Sequence, residues 1–321
     1  MAVLVIGGAG YIGSHTARLL KRHGYEVLIY DNLSTGFPFL AQGFELITGD
    51  VADRQKLSEA MARVDAVMHF AAHSYVGESV ENPRKYFHNN VQGGLALLNT
   101  AIEVGLRKVI FSSTCAVYGV PAKIPIVEDT PRQPVNPYGA SKLFFENALQ
   151  AYDHAYGLRF ASLRYFNAAG ADESGEIGEC HYPETHLIPL ALRAAAGNGP
   201  ELQIYGSDYA TPDGTCVRDY IHVNDLADAH VRALRKLEAG DNSIALNLGT
   251  GQGHSVNEVV TAVEEVTHKP VPRRMSARRE GDPPILVADP HCAESLLNWR
   301  ATRSLRDIVS TAWKWMQSRP G

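Results

Sequence analysis

The segment VLVIGGAGYIGSHTARLL, residues 3–20, constrains the fold more than any other. A short apolar run, Ala2–Ile6, meets Gly7, Gly10 and Gly13, and a stretch with helical spacing follows and closes at Gly24. Such a run reads as a buried strand, and the 3.6-residue recurrence after it as a helix. Glycine permits the sharp strand-to-helix turn and lets a ligand approach the backbone. The helix N-terminus beyond it offers free N–H groups and partial positive charge, which suits a pyrophosphate. Asp31 closes the next strand-like run, Glu26–Tyr30, near the expected spacing of about 20 residues. A carboxylate there accepts from ribose hydroxyls and repels a 2′-phosphate, so the pattern predicts NAD over NADP.

Strand-like and helical segments alternate as far as Asn167. FELITGD (44–50), AVMHFAA (66–72), KVIFSSTCAVYG (108–119) and RFASLRYFN (159–167) read as strands. KLSEAMARV (56–64) and VQGGLALLNTAIEVG (91–105) read as helices, the second despite its paired glycines. This rhythm implies βαβ units and a parallel sheet covered on both faces. After Asn167 glycine and proline become frequent, with short helices at HLIPLALRAAAG (186–197), NDLADAHVRALRKL (224–237) and SVNEVVTAVEEV (255–266). The predicted fold class is α/β: a Rossmann-type doubly wound parallel sheet with a smaller mixed α/β C-terminal substrate lobe. The expected division is soft, with NAD and the catalytic residues in 1–167 and the substrate in 168–321. A strand near 243–249 is expected to return to the main sheet.

Composition narrows the partners. An apolar share of 45% and a charged share of 20% are ordinary for a globular chain. A formal net charge of −5 argues against non-specific nucleic-acid binding. No apolar run approaches the roughly 20 residues needed to span a bilayer, and the N-terminus lacks the basic region of a signal peptide, so a cytoplasmic protein without membrane partners is expected. Cys115, Cys180, Cys216 and Cys292 are scattered and read as free thiols. His69, His73, His181 and His186 come without HExxH or Cys/His spacing, and no metal site is expected.

The segment NPYGASKLFFENAL, residues 136–149, carries the chemistry. Pro137 fits the first turn of a helix, and residues four apart share a face, so Tyr138 and Lys142 point the same way. A tyrosine can act as base near neutral pH only if its pKa falls by ~3 units, about 4 kcal/mol of differential stabilisation. A neighbouring ammonium and a positively charged nicotinamide favour the phenolate. The assignment is Tyr138 as base and acid, Lys142 as electrostatic partner, and Thr114, at the end of the fifth strand, as hydrogen-bonding assistant.

The GxxGxxG spacing, STCAVYG with its Thr114, and YGASK resemble the extended branch of the short-chain dehydrogenase/reductases, which holds nucleotide-sugar enzymes. Dehydratases of that group carry Asp-Glu after the catalytic Thr, and decarboxylases tend to carry an acid there. This chain has Cys115-Ala116, which favours epimerisation. LRYFNAAGA (163–171), ETHLIPLAL (184–192), the long block LQIYGSDYATPDGTCVRDYIHVNDLADAH (202–230) and RREGDPP (278–284) resemble the UDP-glucose 4-epimerase family over nearly the whole chain. The resemblance implies tightly held NAD, a homodimer, and interconversion of UDP-glucose and UDP-galactose. It implies oxidation at sugar C4, turning of a 4-keto sugar, and hydride return to its other face.

That alignment puts Tyr11, Ile12, Asp31, Asn32, Asp50, Val51, Phe70, Asn89 and Phe166 on cofactor positions. Asn167, Leu187, Gln203, Tyr205, Arg218, Arg279 and Asp282 fall on UDP-sugar positions. Arg218 and Arg279 can clamp a diphosphate through forked hydrogen bonds, Asp282 can accept from ribose hydroxyls, and Tyr205 offers an aromatic wall. Leu286 falls where some members carry tyrosine, His186 where many carry asparagine, and Ser74 where some carry lysine. With no bulky tyrosine at 286, UDP-N-acetylhexosamines are a further expected substrate, and UDP-pentoses stay open. Two alternatives also stay open. A 4,6-dehydratase is opposed by the missing acid after Thr114, and a non-catalytic NAD-sensing module by the intact Thr114, Tyr138 and Lys142.

Overall fold

Parallel pairing builds the main sheet, whose order is β11-β6-β5-β4-β1-β2-β3. Its strands are β1 (Ala2–Ile6), β2 (Glu26–Asp31), β3 (Glu45–Thr48), β4 (Ala66–His69), β5 (Lys108–Thr114), β6 (Arg159–Tyr165) and β11 (Ile244–Leu248). The structure, a computed structural model, describes residues 1–278 and 282–318. β1 pairs with β2 on one side and β4 on the other, so the chain winds outward in both directions from it. β11 pairs with β6, Ile244 opposite Ala161, so the strand expected to return does so.

Smaller pairings stand beside this sheet. β7 (Asn167–Ala169) pairs with β10 (Tyr220–His222), and β8 (Leu202–Tyr205) with β13 (Arg273–Ser276). β9 (Val217–Arg218) lies between β12 (His254–Ser255) and β14 (Ile285–Leu286).

Helices α1 (Tyr11–Arg22) and α8 (Val223–Glu238) cover one face of the main sheet. Their buried residues, among them Ala17, Leu20, Leu226, Ala233 and Leu237, recur at helical spacing and join Val3, Val5, Ile110 and Leu163 in one core. On the other face α2 (Arg54–Met61), α5 (Gly94–Glu103) and α6 (Pro137–Tyr156) bury Leu57, Leu97, Leu98, Phe145 and Leu149 against Leu4, Ile6 and Val109. A third core gathers α7 (Leu187–Ala196), α9 (Val256–Thr267) and α11 (Leu305–Ser318). Short helices α3 (Val76–Glu81) and α4 (Pro83–Tyr86) precede α5, and α10 (His291–Leu297) precedes α11. The sequence reading did not resolve α3, α4, α10 or α11.

The segment read as one helix from Val91 to Gly105 is two. Phe87–Gly93 winds as a π-helix before α5 begins at Gly94. A Cβ on Gly93 would meet Val51 at 2.6 Å, and one on Gly94 would meet the Phe145 ring at 2.5 Å. The paired glycines are therefore a packing requirement. They let the helix lie against α6 and against the loop after β3.

Helix α6 is fixed at its start by Asn136, whose side chain accepts from Gly139 N at 2.8 Å, and ends at Gly157 in the left-handed region. One turn beyond Lys142, Glu146 is 1% exposed. It takes Arg164 Nη2 at 2.7 Å and Nε at 2.9 Å, Ser113 Oγ at 2.5 Å and Arg132 Nη1 at 3.2 Å. These bonds lock α6 to β5 and β6. Glu146→Ala leaves the Arg164 guanidinium buried without its counter-charge and is expected to cost about 3–5 kcal/mol. Urea unfolding of the variant against wild type checks this.

Candidate active site

Thr114 ends β5, and Tyr138 and Lys142 lie on the first turns of α6. A Cβ on Gly139 would meet Ala116 O at 2.5 Å, so glycine lets the helix press onto the loop after β5. That contact carries Tyr138 to Thr114, whose side chain hydrogen-bonds the phenol. Lys142 is 4% exposed, and its Nζ donates to Ser112 O at 2.8 Å. The ammonium lies 4.8 Å from the Phe111 ring centroid and 6.0 Å from that of Tyr138. The three residues singled out as catalytic do converge.

Their electrostatics differ from the simplest expectation. Burial pushes the Tyr138 phenol up to about 12, against the pull of the Thr114 hydrogen bond. Burial also pulls the Lys142 amine down to about 7, with Glu146 working the other way. The protein's own groups therefore leave the phenol protonated at neutral pH. Cys115 is 9% exposed, and burial pushes its thiol up to about 12, against the pull of Arg218.

The glycine loop folds as a cradle. Gly7 has φ +80, and a Cβ there would meet Ala71 N at 2.5 Å; one on Gly13 would meet Gly7 O at 2.3 Å. Gly10 is the N-cap residue of α1 and brings no side-chain cap, so the first turn keeps N–H groups to offer, Tyr11 and Ile12 among them. Asp31 is buried, and its oxygens accept from Ala9 N at 2.9 Å and Leu33 N at 2.8 Å. These bonds hold the carboxylate beside the loop. Asn32 donates to Asp50 at 2.8 Å. Val51 is buried, and the Phe70 ring lies 4.9 Å from that of His230. Asn89 donates to Asn90 Oδ1 at 2.9 Å. The Tyr11 side chain has a separate task, donating to Gly170 O at 2.6 Å.

A second set of predicted residues lies along the small strands. Arg218 on β9 donates to Asp282 Oδ1 at 2.5 Å and to Pro283 O at 2.8 Å. Two groups expected to meet different parts of a ligand therefore meet each other. Leu286 on β14 stands opposite Arg218 and packs with Cys115, Tyr118, Phe166 and Ala288. Asn167 donates to Asp219 O at 3.1 Å, and Tyr205 to Gln203 at 3.1 Å. His186 and Leu187 begin α7, and Ser74 is exposed just before α3. Arg279 lies outside the described residues.

A model of the NAD dependent epimerase/dehydratase family matches residues 3–249. The chain belongs to this family. It is 50% identical over 319 residues to a UDP-glucose 4-epimerase of Rhizobium meliloti (strain 1021), covering 99% of this chain and 97% of that one. Among solved structures, the UDP-glucose 4-epimerase from Brucella ovis in complex with NAD is 52% identical, with TM-score 0.95 over 97% of each chain. The enzyme from Bifidobacterium longum in complex with NAD+ and UDP is 40% identical, with TM-score 0.95 over 100% of this chain and 99% of that one.

The cradle fits the dinucleotide that gives this epimerase/dehydratase family its name. The close approaches at Gly7 and Gly13 leave no room for side chains, the start of α1 lacks a side-chain cap, and Asp31 is fixed beside it. Residues that the sequence reading missed support the site from behind. Asn90 donates to His73 O and to Ser141 Oγ, each at 3.0 Å, and accepts from His73 N at 3.0 Å. It thereby ties the loop after β4 to the turn that carries Lys142. Glu146 could have been found, since it repeats the four-residue spacing of Tyr138 and Lys142. Asn90, 51 residues from its partner, left no local signal. Gly13→Ala is expected to strip NAD from the purified protein, because its methyl would strike Gly7 O. Nucleotide released on denaturation, compared with wild type, measures the loss.

Proposed function

We propose that the protein interconverts UDP-glucose and UDP-galactose by reversible oxidation at sugar C4. The observation that carries this reading is the pairing of a complete Thr114–Tyr138–Lys142 group with a Cys115 thiol held near 12 and the methyl of Ala116. The group can move the proton of a secondary alcohol. Elimination needs a second acid or base beside it, and neither Cys115 nor Ala116 supplies one near neutral pH.

Bound NAD supplies the hydride acceptor, the hydride donor for its return, and a positive ring charge that favours a phenolate. Tyr138 takes the proton of the sugar 4-hydroxyl and returns it to the 4-keto sugar. Thr114 holds the phenol in place by its hydrogen bond, and Lys142, anchored on Ser112 O, favours negative charge nearby. Arg218, Asp282, Asn167, Gln203 and Tyr205 form the nucleotide end of the substrate site in this reading, with His186, Leu187 and Ser74 toward the sugar. Gly7, Gly10, Tyr11, Ile12, Gly13, Asp31, Asn32, Asp50, Val51, Phe70, Asn89 and Phe166 form the cofactor site. The smaller Leu286 side chain supports N-acetylated sugars as additional substrates. A cytoplasmic homodimer completes the proposal. Exposed Phe87 and Phe144, beside and on the helices that flank the sheet, support the dimer.

Purified protein given UDP-galactose without added NAD is expected to form UDP-glucose by chromatography. Release of a 4-keto-6-deoxy product instead would mark a dehydratase. Tyr138→Phe should keep its thermal transition and lose about 10²–10⁴-fold in kcat; turnover near the wild-type rate would remove Tyr138 from the chemistry. Leu286→Tyr is expected to suppress turnover of UDP-N-acetylglucosamine far more than that of UDP-galactose. Parallel kcat/KM measurements on the two substrates read the difference, and equal losses would place residue 286 outside the sugar pocket.

A further inference from the structure

The segment between β7 and α7 carries a group of side chains of which only His186, set toward the sugar above, enters the proposed substrate site. Glu179, His181, Glu184 and His186 each offer one potential ligand atom, and these atoms all lie within 4.8 Å of one another. His186 Nδ1 lies 2.8 Å from Glu184 Oε1 and 2.9 Å from Glu179 Oε1. His181 Nδ1 lies 3.2 Å from Glu179 Oε1 and 3.8 Å from Glu184 Oε2. Ligands bonded to zinc at about 2.0–2.1 Å on the corners of a tetrahedron stand about 3.3 Å apart. The four contacts, made through both oxygens of Glu184, lie around that value, and the four ligand atoms as a set stay within 4.8 Å of one another.

The surroundings point the same way. The Glu179 and Glu184 side chains are 7% and 2% exposed. Two carboxylates so close and so enclosed repel each other unless positive charge lies between them. His181 Nδ1 is shut off from solvent and makes no hydrogen bond of acceptable geometry, although it faces both acids. A buried nitrogen left in that state is costly, and a cation held among the four groups would take its lone pair. The rings of Tyr11 and Tyr75 lie 6.1 and 6.2 Å from that of His181, and His186 stands at the open rim with its side chain 45% exposed.

We propose that Glu179, His181, Glu184 and His186 bind one divalent transition-metal ion, with zinc the best match to two imidazoles and two carboxylates. Two carboxylates balance its charge. With all four corners taken by protein, no position is left for water or substrate, which is the mark of a structural site and not a catalytic one. The ion would fix the segment 179–186 and the start of α7 against Tyr75, whose hydroxyl donates to Pro183 O at 3.0 Å. The alternative source of positive charge is a proton on His186, which Glu179 and Glu184 together favour despite burial. The two explanations separate by experiment.

Untagged full-length protein, stripped by chelator and dialysed, is titrated with cobalt(II) and then zinc(II). The expected result is one equivalent of cobalt per chain with the strong visible absorption of four-coordinate cobalt, displaced by zinc, and a higher Tm with zinc. His181→Gln and Glu184→Gln should each weaken binding by at least about tenfold. X-ray absorption of the zinc-loaded wild type requires no variant and should show only nitrogen and oxygen neighbours, with imidazole scattering. Absence of the cobalt band together with an unmoved Tm would overturn the site and leave the His186 proton as the clamp. Undiminished binding in both variants, or a sulfur neighbour near about 2.3 Å, would place the ion elsewhere and equally overturn it.

Discussion

The Glu146 carboxylate is the interaction on which the rest of the site depends. It sits on the inner face of α6 and accepts from Nε and Nη2 of Arg164, whose side chain is 3% exposed. Such a pair adds little net stability over apolar residues of the same volume, whereas removing either partner leaves a charge stranded. What it supplies here is position. Arg164 also donates to the Tyr118 hydroxyl and to Glu128 O, and Tyr118 donates to Asn247. One polar chain thus spans α6, β6, the turn after β5 and β11. The Lys142 ammonium, one turn before Glu146, inherits both a fixed place at Ser112 O and a counter-charge that resists its loss of a proton.

A second constraint acts at the centre of the sheet. The chain leaves β1 toward β2 and β3, then returns to β4 on the opposite side. The loops after β1 and β4 therefore part above the strand ends, which is where doubly wound sheets hold their ligands. In this chain the loops also touch. Gly7 lies so near Ala71 that a methyl would not fit, and Phe70 reaches across to His230. Asn90, on the π-helical turn, draws the same β4 loop toward α6. The glycine cradle and helix α6 are thus two ends of one packed unit.

Much of this was legible because its determinants are local. The strand–glycine–helix turn, the Asp31 position and the Tyr138–Lys142 face each lie within one element or one connection, and the alternation of runs dictated the parallel sheet. Contacts made across long separations were not legible. Arg218 and Asp282 meet across 64 residues, and β14 joins β9 in a pairing only two residues long; no periodicity announces either. The π-helical turn before Gly94 was invisible because its glycines answer to Val51 and Phe145, residues in other elements. The histidines and glutamates of 179–186 were visible as letters but matched no helical or finger-like spacing. An irregular loop gathers them.

These layers give the proposed substrate site two unlike ends. Arg218, Asp282 and Asn167 bring charge and hydrogen-bonding groups held by backbone carbonyls and by one another. Cys115 and Leu286 bring apolar surface beside Thr114, with Leu187, His186 and Ser74 set toward the sugar in the proposed function. In that proposal a ligand gripped chiefly through its nucleotide keeps its position along the site while its sugar stays free to rotate. Interactions with the non-reacting part of a substrate can carry the binding without fixing the reacting part. For the proposed reaction, which removes hydride from one face of a carbon and restores it to the other, that imbalance is a requirement. A site that held the sugar as firmly as the nucleotide would only reverse its own first step.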